Sequence, residues 1–412
     1  RRDFPEGADP VSRPRVAAIV TAYYPHSHAD VILTKLLKGI PADDGMRMPQ
    51  LEIVSMYLDQ VHERDMGVDT AAECDVPIYA SIVQALQLGG EELAVDGVVI
   101  IAEHGDYAWN EKEQHLYPRR HFFEQVAGVF AVAGRTVPVF CDKHMSWSWD
   151  QAKWMYDRAR SLKVPLMVGS SISTCHRDPP LELDLDTPME EAFALGYGGL
   201  DAYGFHTLEA LQCMVERRTG GETGIAAVQC LEGAEVWKAR DRGEWSWDLA
   251  TAAAEVVEEG KAQRIETECA DDAVLFLLEY RDGLRAAALL ANGYKGEVHG
   301  WSFAGRCSGE IQSTYYVMGG DPYPHFTYQC LNIERLIRDG IEPYPPERTL
   351  LTGGALEALL DSRHQGHVRI DTPHLDVAYR SYETPPERPS GTRPTGAAAV
   401  PLHGVDDPVW AK

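Results

Sequence analysis

Histidines and carboxylates gather at four places in the first third of this chain, each just past an apolar run. His26 and His28 follow Arg15–Val20, and Asp59 and His62 follow Leu51–Tyr57. "EHGDY" (103–107) follows Gly97–Ala102, and Asp142, Lys143 and His144 follow Val137–Cys141. If the runs are parallel strands, their carboxyl ends form one rim, where open α/β sheets bind ligands. Such a rim supplies general acids and bases. It also supplies the N and O donors that Zn, Mn or Fe accept. His104, His144, Asp201 and His206 form the candidate metal set. They come from different loops, and no H-E-x-x-H run supports them.

The loop "HGDYAWNEKEQHLYPRR" (104–120) mixes aromatic with polar side chains. Aromatic faces stack on sugar C–H surfaces, while amides and carboxylates bind hydroxyls. His104, Asp106, Tyr107, Asn110 and Tyr117 are therefore candidate contacts to a polyhydroxylated substrate. Glu209 lies three residues after His206, on the same helix face, where it can orient the imidazole or join a metal site.

"IVTAYYPHSHADVI" (19–32) stands where a dinucleotide fold carries G-x-G-x-x-G, yet the three glycine positions read Val20, Ala22 and Pro25. Each change removes a tight turn or a close approach to pyrophosphate, and proline has no N–H to donate. Ala22, Tyr23 and His28, with Asp59 as the ribose-binding acid, are the candidate nucleotide contacts.

The elements that position these groups follow a βα rhythm. The strands named above and Leu166–Val168 alternate with helical patterns at Asp30–Lys38, Ile82–Leu88, Arg119–Ala133 and Trp149–Leu162. Strands this apolar belong in a parallel sheet covered on both faces. After a polar stretch (173–188) come a helix near Gly204–Arg218 and strands at Gly224–Leu231, Ala273–Tyr280, Leu284–Ala291, Glu297–Phe303 and Gly309–Val317. These read as an antiparallel meander. Helices at Tyr328–Arg338 and Leu356–His364 close the chain. The expected division is an N-terminal arm (1–14), a Rossmann-like doubly wound α/β domain (15–172), an α+β domain with a large open, mostly antiparallel sheet (173–384) and an extended tail (385–412). The closing helix, about 349–364, is expected to pack back on the first domain.

Bulk numbers narrow the partners. With 412 residues, 44% hydrophobic and 25% charged, the composition is that of a globular protein. The formal charge of −25 argues against nucleic acid and anionic membranes. No apolar run reaches the roughly 20 residues of a membrane span. Eight scattered cysteines without a C-x-x-C pair read as mostly buried thiols. A cytoplasmic location is the expectation, with export left open because the chain begins at Arg1 and an N-terminal leader can have been removed.

Three stretches carry a family resemblance. "VPVFCDKHMSWSWDQAKWMYDRARSLKVPLMVGSSI" (137–172) resembles the strand, E-K-P loop, helix and strand of the Gfo/Idh/MocA sugar and cyclitol dehydrogenases. "GYGGLDAYGFHTLEAL" (196–211) resembles that family's glycine-rich approach to its D-x-G-x-H helix. "GIEPYPPERTLLTGGALEALLDSRHQGHVRI" (340–370) resembles its closing helix. The resemblance implies an NAD(P) oxidoreductase acting on a sugar, cyclitol or polyol. Lys143 and His206 then handle the hydroxyl proton, in a homo-oligomer, dimer or tetramer, paired through an exposed sheet face. Three departures fall on the chemistry. The loop glycines are absent, E-K-P reads Asp142-Lys143-His144, and the motif aspartate is Ala202 with Asp201 one place earlier. The catalytic candidates are thus Lys143, His206, Asp201 and His144. The rival readings are an NAD-independent hydrolase, lyase or isomerase of sugar-like substrates using Mn or Zn, and a non-catalytic binding protein. The substrate pocket is expected between the domains, lined by His104, Lys143, His144, Asp201 and His206.

Overall fold

The computed structural model describes residues 13–257, 262–292, 300–389 and 396–400. Most of the expected arm and tail, and residues 297–299 of the expected strand Glu297–Phe303, lie outside the described residues.

Five strands form the first sheet: β1 (Arg15–Val20), β2 (Glu52–Leu58), β3 (Gly97–Ile101), β4 (Val139–Asp142) and β5 (Leu166–Gly169). All pair in parallel, in the order β2-β1-β3-β4-β5. Successive residues of a strand point to opposite faces, and here both faces are buried. Ala17, Ile19, Val98 and Ile100 pack on Phe122, Val126 and Met155 from the helices Arg119–Ala133 and Trp149–Leu162. Val16, Ala18, Val99 and Ile101 pack on Val31, Leu36, Ile333 and Ile337. The last two come from the helix Pro324–Asp339, so the second domain supplies part of the first domain's cover. The expected helix Asp30–Lys38 forms as a π turn, Asp30–Thr34, running into Lys35–Lys38.

The second sheet has eight strands: β6 (His176–Asp178), β7 (Met189–Gly196), β8 (Ile225–Glu232), β9 (Ala273–Tyr280), β10 (Arg285–Ala291), β11 (Trp301–Cys307), β12 (Glu310–Val317) and β13 (Ile370–Asp371). Their order is β13-β8-β9-β10-β7-β11-β12-β6. The expected simple meander is broken by β7, which inserts between β10 and β11 and runs parallel to β10. Its sequence, MEEAFALG, is rich in Glu and Ala, which have low strand propensity.

One face of this sheet packs on the helices Ala202–Val215 and Glu347–His364, through Phe205, Leu208, Leu351 and Leu359. The other face carries Phe193, Leu195, Leu275, Leu289 and Ala304. Here the structure corrects the expectation of a free sheet face. These residues are buried under Val236, Trp237, Trp245, Leu249 and Ala253, from helices at Ala234–Asp241 and Trp247–Glu255 that the sequence did not reveal. The surface through which a dimer or tetramer was expected to pair is filled by the chain itself.

The segments that carry the two sheets are stitched together at several points. Arg160 pairs with Glu342 at 2.6 Å, the Tyr156 hydroxyl donates to Glu347 Oε1, and the Trp149 amide donates to Glu357 Oε2. On the other side Thr327 Oγ1 donates to the Pro41 carbonyl and Tyr328 to Asp43. The eight cysteines are all free thiols, seven of them buried. Among the described residues no helix is long and apolar enough to cross a membrane.

Candidate functional site

The carboxyl ends of β1 to β5 do form one rim, and its two sides differ. Above β1 and β2 the polar groups are paired within the chain. Asp30, fully buried, accepts from the His26 amide at 2.8 Å and from Thr34 Oγ1 at 2.6 Å. Ser27 Oγ accepts from the amides of Tyr24 (3.2 Å) and Asp30 (3.3 Å). Asp59, placed to bind a ribose, has one oxygen on the Tyr57 hydroxyl and the other on that of Tyr107, both at 2.6 Å. The Tyr24 ring lies 4.4 Å from His62 and 5.5 Å from His104, under the Arg64 guanidinium.

NAD(P) does not fit this crevice in the standard pose. A bound pyrophosphate needs free amides and positive dipole at the helix start. Here Pro25 has no amide, the Tyr24 amide is used by Ser27, and the Asp30 carboxylate already sits at the helix start as an internal anion. Among the candidate nucleotide contacts, Ala22 and Tyr23 are fully buried, Tyr23 bonding Thr34. His28 Nδ1 is 2.6 Å from Asp142 Oδ2, and Asp59 is doubly bonded. None of the four presents a free polar group to a nucleotide.

Above β3 and β4 lies a buried charge cluster. Lys143, in the left-handed backbone region at φ 61°, donates to Glu103 Oε1 at 2.8 Å, and Arg119 donates to Glu103 Oε2. Burial pushes the Glu103 carboxyl up, but the two cations outweigh it and hold it well below the usual range. Beside this cluster opens a cavity of about 490 Å³, lined by Glu103 and by Trp109, His115 and Tyr117 of the polar loop. His144 completes this wall, and Gly199 to Tyr203, from the second domain, form the other. Trp109 stacks on His115 at 4.2 Å, and His115 on Tyr117 at 4.0 Å, which makes an aromatic wall.

Two lining residues have unanswered polar atoms. His144 is 3% exposed, and neither ring nitrogen has a partner. Burial, then the Arg119 charge, keeps its imidazole neutral to well below the ordinary histidine range. Asp201 is 8% exposed. It stands at the N-cap of the helix Ala202–Val215 without capping it, and its Oδ2 accepts instead from the His115 amide at 2.9 Å. Its Oδ1 is buried and unpaired, and burial raises its carboxyl above the ordinary aspartate value.

The remaining candidates separate clearly. His206 and Lys143 do not line this cavity. His206 Nδ1 lies 2.6 Å from Ser170 Oγ, and burial, then the Lys143 charge, keeps its ring neutral. Glu209 is not free to orient His206 or hold a metal. It takes Thr352 Oγ1 at 2.6 Å and Thr349 Oγ1 at 3.2 Å. His104 Nε2 is buried without a partner, and burial, then neighbouring His28, lowers the ring to about 3. Asn110 is consumed by its own turn, bonding the amides of Lys112 and Gln114. Asp106 is exposed, and its backbone bonds Gln60. Among the described residues no three His, Cys, Asp or Glu side chains assemble into a group that could hold a metal, and the proposed set His104, His144, Asp201 and His206 is no exception. Two of its members are already engaged, with Ser170 and with the His115 amide.

Sequence reasoning counted Glu103 on the rim without giving it a role, and passed over Arg119, Ser170 and Tyr203. Glu103 had a signal, as the first charge beyond an apolar strand. Arg119 and Ser170 had none, because their partners are distant in sequence.

Fold and site together define an α/β chain with a parallel five-stranded sheet, a mostly antiparallel eight-stranded sheet and a polar cavity beside the carboxyl ends of the first. No family model and no curated protein matches the sequence. Solved structures do match its fold over nearly the whole chain. GenD2 from gentamicin A biosynthesis, in complex with NAD, is 15% identical with a TM-score of 0.57, covering 90% of this chain and 99% of that one. Scyllo-inositol dehydrogenase from Lactobacillus casei, with bound NAD(H) and scyllo-inositol, is 10% identical with a TM-score of 0.54, covering 87% and 99%. A probable dehydrogenase from Thermotoga maritima is 11% identical with a TM-score of 0.54, covering 88% and 99%. The chain is thus structurally similar to Gfo/Idh/MocA dehydrogenases across nearly its full length.

Proposed function

We propose that this chain is an enzyme acting on a sugar-, cyclitol- or polyol-like substrate held in the cavity between its domains. One observation carries the reading: an aromatic wall, His144 and Asp201 line the same space of about 490 Å³. A volume of that order takes a small ligand. The wall suits the C–H face of a ring sugar. Asp201 and His144 suit its hydroxyls and are the groups placed to move a proton. Lys143 and Arg119 act through Glu103 as positioning residues. Likeness to structures solved with NAD and scyllo-inositol supports the substrate class. It would also assign Lys143 and His206 to the hydroxyl proton of a nicotinamide-dependent reaction, but the filled crevice gives that assignment no support.

Saturation-transfer NMR with hexoses, hexitols and inositols tests the reading. At least one member should bind, and Trp109→Ala should weaken it about tenfold, or about 1.4 kcal/mol. A panel without a single binder, or binding indifferent to Trp109→Ala, overturns it.

A further inference from the structure

Two features of this molecule point the same way. The crevice that would hold a nicotinamide nucleotide is occupied by the chain's own groups: the Asp30 carboxylate at the helix start, Ser27 on the Tyr24 amide, and two tyrosines on Asp59. The cavity next to it is lined by His144 and Asp201, whose unpaired polar atoms are buried in its wall. A crevice whose polar groups are bonded within the chain, beside a cavity with an imidazole and a carboxyl in its wall, suits proton transfer without a hydride carrier.

We propose that the cavity catalyses a nucleotide-independent proton transfer between adjacent carbons of a carbonyl sugar or ketocyclitol, with His144 as base and Asp201 as acid. This rests on the substrate class proposed above and adds the reaction. His144 takes the proton from the carbon beside the substrate carbonyl. The C–H electron pair becomes the C=C bond of an enediol. The carbonyl π pair becomes an O–H bond, using the proton of Asp201. The Asp201 carboxylate and the His144 imidazolium then stand as a compensating pair. In the second half Asp201 takes the proton of the neighbouring hydroxyl and His144 returns its proton to carbon. Both groups are restored, the product is an isomer of the substrate with its carbonyl moved to the adjacent carbon, and no oxidant or reductant is consumed.

The surroundings favour this step. Lys143 and Arg119 carry two positive charges against the single negative charge of Glu103, so this buried cluster is itself net positive. Charge that develops on the substrate oxygen is stabilised by it. Arg119 also keeps Nε and Nη1 buried without partners.

The test follows solvent deuterium into carbon. Purified full-length chain is incubated in D₂O, without nucleotide, with aldohexoses, ketohexoses and ketoinositols, and the α C–H signals are followed by proton NMR. At least one compound should lose its α proton, with no dependence on added NAD(P). Asp201→Asn and His144→Gln should each slow exchange about 100-fold, the usual scale of general acid–base catalysis. Binding without exchange in the unmodified protein overturns the proton-transfer reaction and leaves the substrate class standing. Exchange that requires NAD(P), or that is unchanged in both variants, also overturns it. A panel that does not bind at all removes both proposals.

Discussion

Along the rim above β1 and β2, the carboxylates of Asp30 and Asp59 and the Ser27 hydroxyl are answered from within the chain. Asp30 has His26 and Thr34, Ser27 has Tyr24, and Asp59 has Tyr57 and Tyr107. Above β4, on the same rim, both nitrogens of His144 and one oxygen of Asp201 are buried and unanswered. An unpaired buried polar group costs roughly 1–3 kcal/mol, so natural proteins rarely keep one without a use. In the first region these polar groups serve the fold. The second bears a cost that only a ligand or bound water relieves.

The largest effect should come from the charge cluster beneath the open side. Arg119 is fully buried, and Arg119→Met leaves Glu103 with Lys143 alone. Breaking such a buried pair should cost about 3–5 kcal/mol in a urea unfolding curve. Asp30→Ala strips two donors of their acceptor on the filled side. About 2 kcal/mol of stability should be lost, and a fluorescence titration should still find no sub-micromolar NADH site, because Pro25 and the Ser27–Tyr24 bond remain.

The pH dependence of stability should also separate the regions. His104 and His325 are lowered to about 3 by burial, and His144 and His206 lie well below the ordinary value of 6.5 for the same first reason. Below pH 6.5 the unfolded chain binds protons at these four sites while the folded chain does not. Stability should therefore be fullest above pH 6.5 and fall as pH drops from 6.5 towards 3. His144→Gln should flatten that slope, as seen in denaturation midpoints across the range. The smallest expected change is the most telling. Asp201→Asn and His144→Phe should alter stability by less than about 1 kcal/mol, since neither breaks a side-chain pairing, yet each should abolish turnover. A loss of several kcal/mol in either variant would make that residue structural and erase the contrast between the two regions.

How much of this was legible in the sequence depends on distance along the chain. Arg15–Val20, Arg119–Ala133 and Trp149–Leu162 have the bounds their patterns gave, because periodicity is a local signal. The rim was legible for the same reason, since each charged group follows its own strand. β7 was missed because Glu and Ala obscure alternation. The helices at 234–255 were missed because Ala-rich segments with scattered tryptophans give a weak stripe. The roles of the candidates were not legible. Nothing in the sequence near Asp59 announces Tyr107, 48 residues away. Lys143 and His206 matched their motifs, yet neither lines the cavity, whereas Asp201 and His144, both departures from the pattern, do.

The stitches between the domains have a consequence for selectivity. Arg160 to Glu342, Trp149 to Glu357, Thr327 to Pro41 and Tyr328 to Asp43 fasten the second domain to the first from both sides. Two-domain enzymes often work as jaws, closing on a guest and using part of its binding energy to do so. Here the jaws are riveted. The cavity takes its width when the chain folds, so it discriminates as a mould does, by refusing what is too large, and a guest that fits meets walls already set in place.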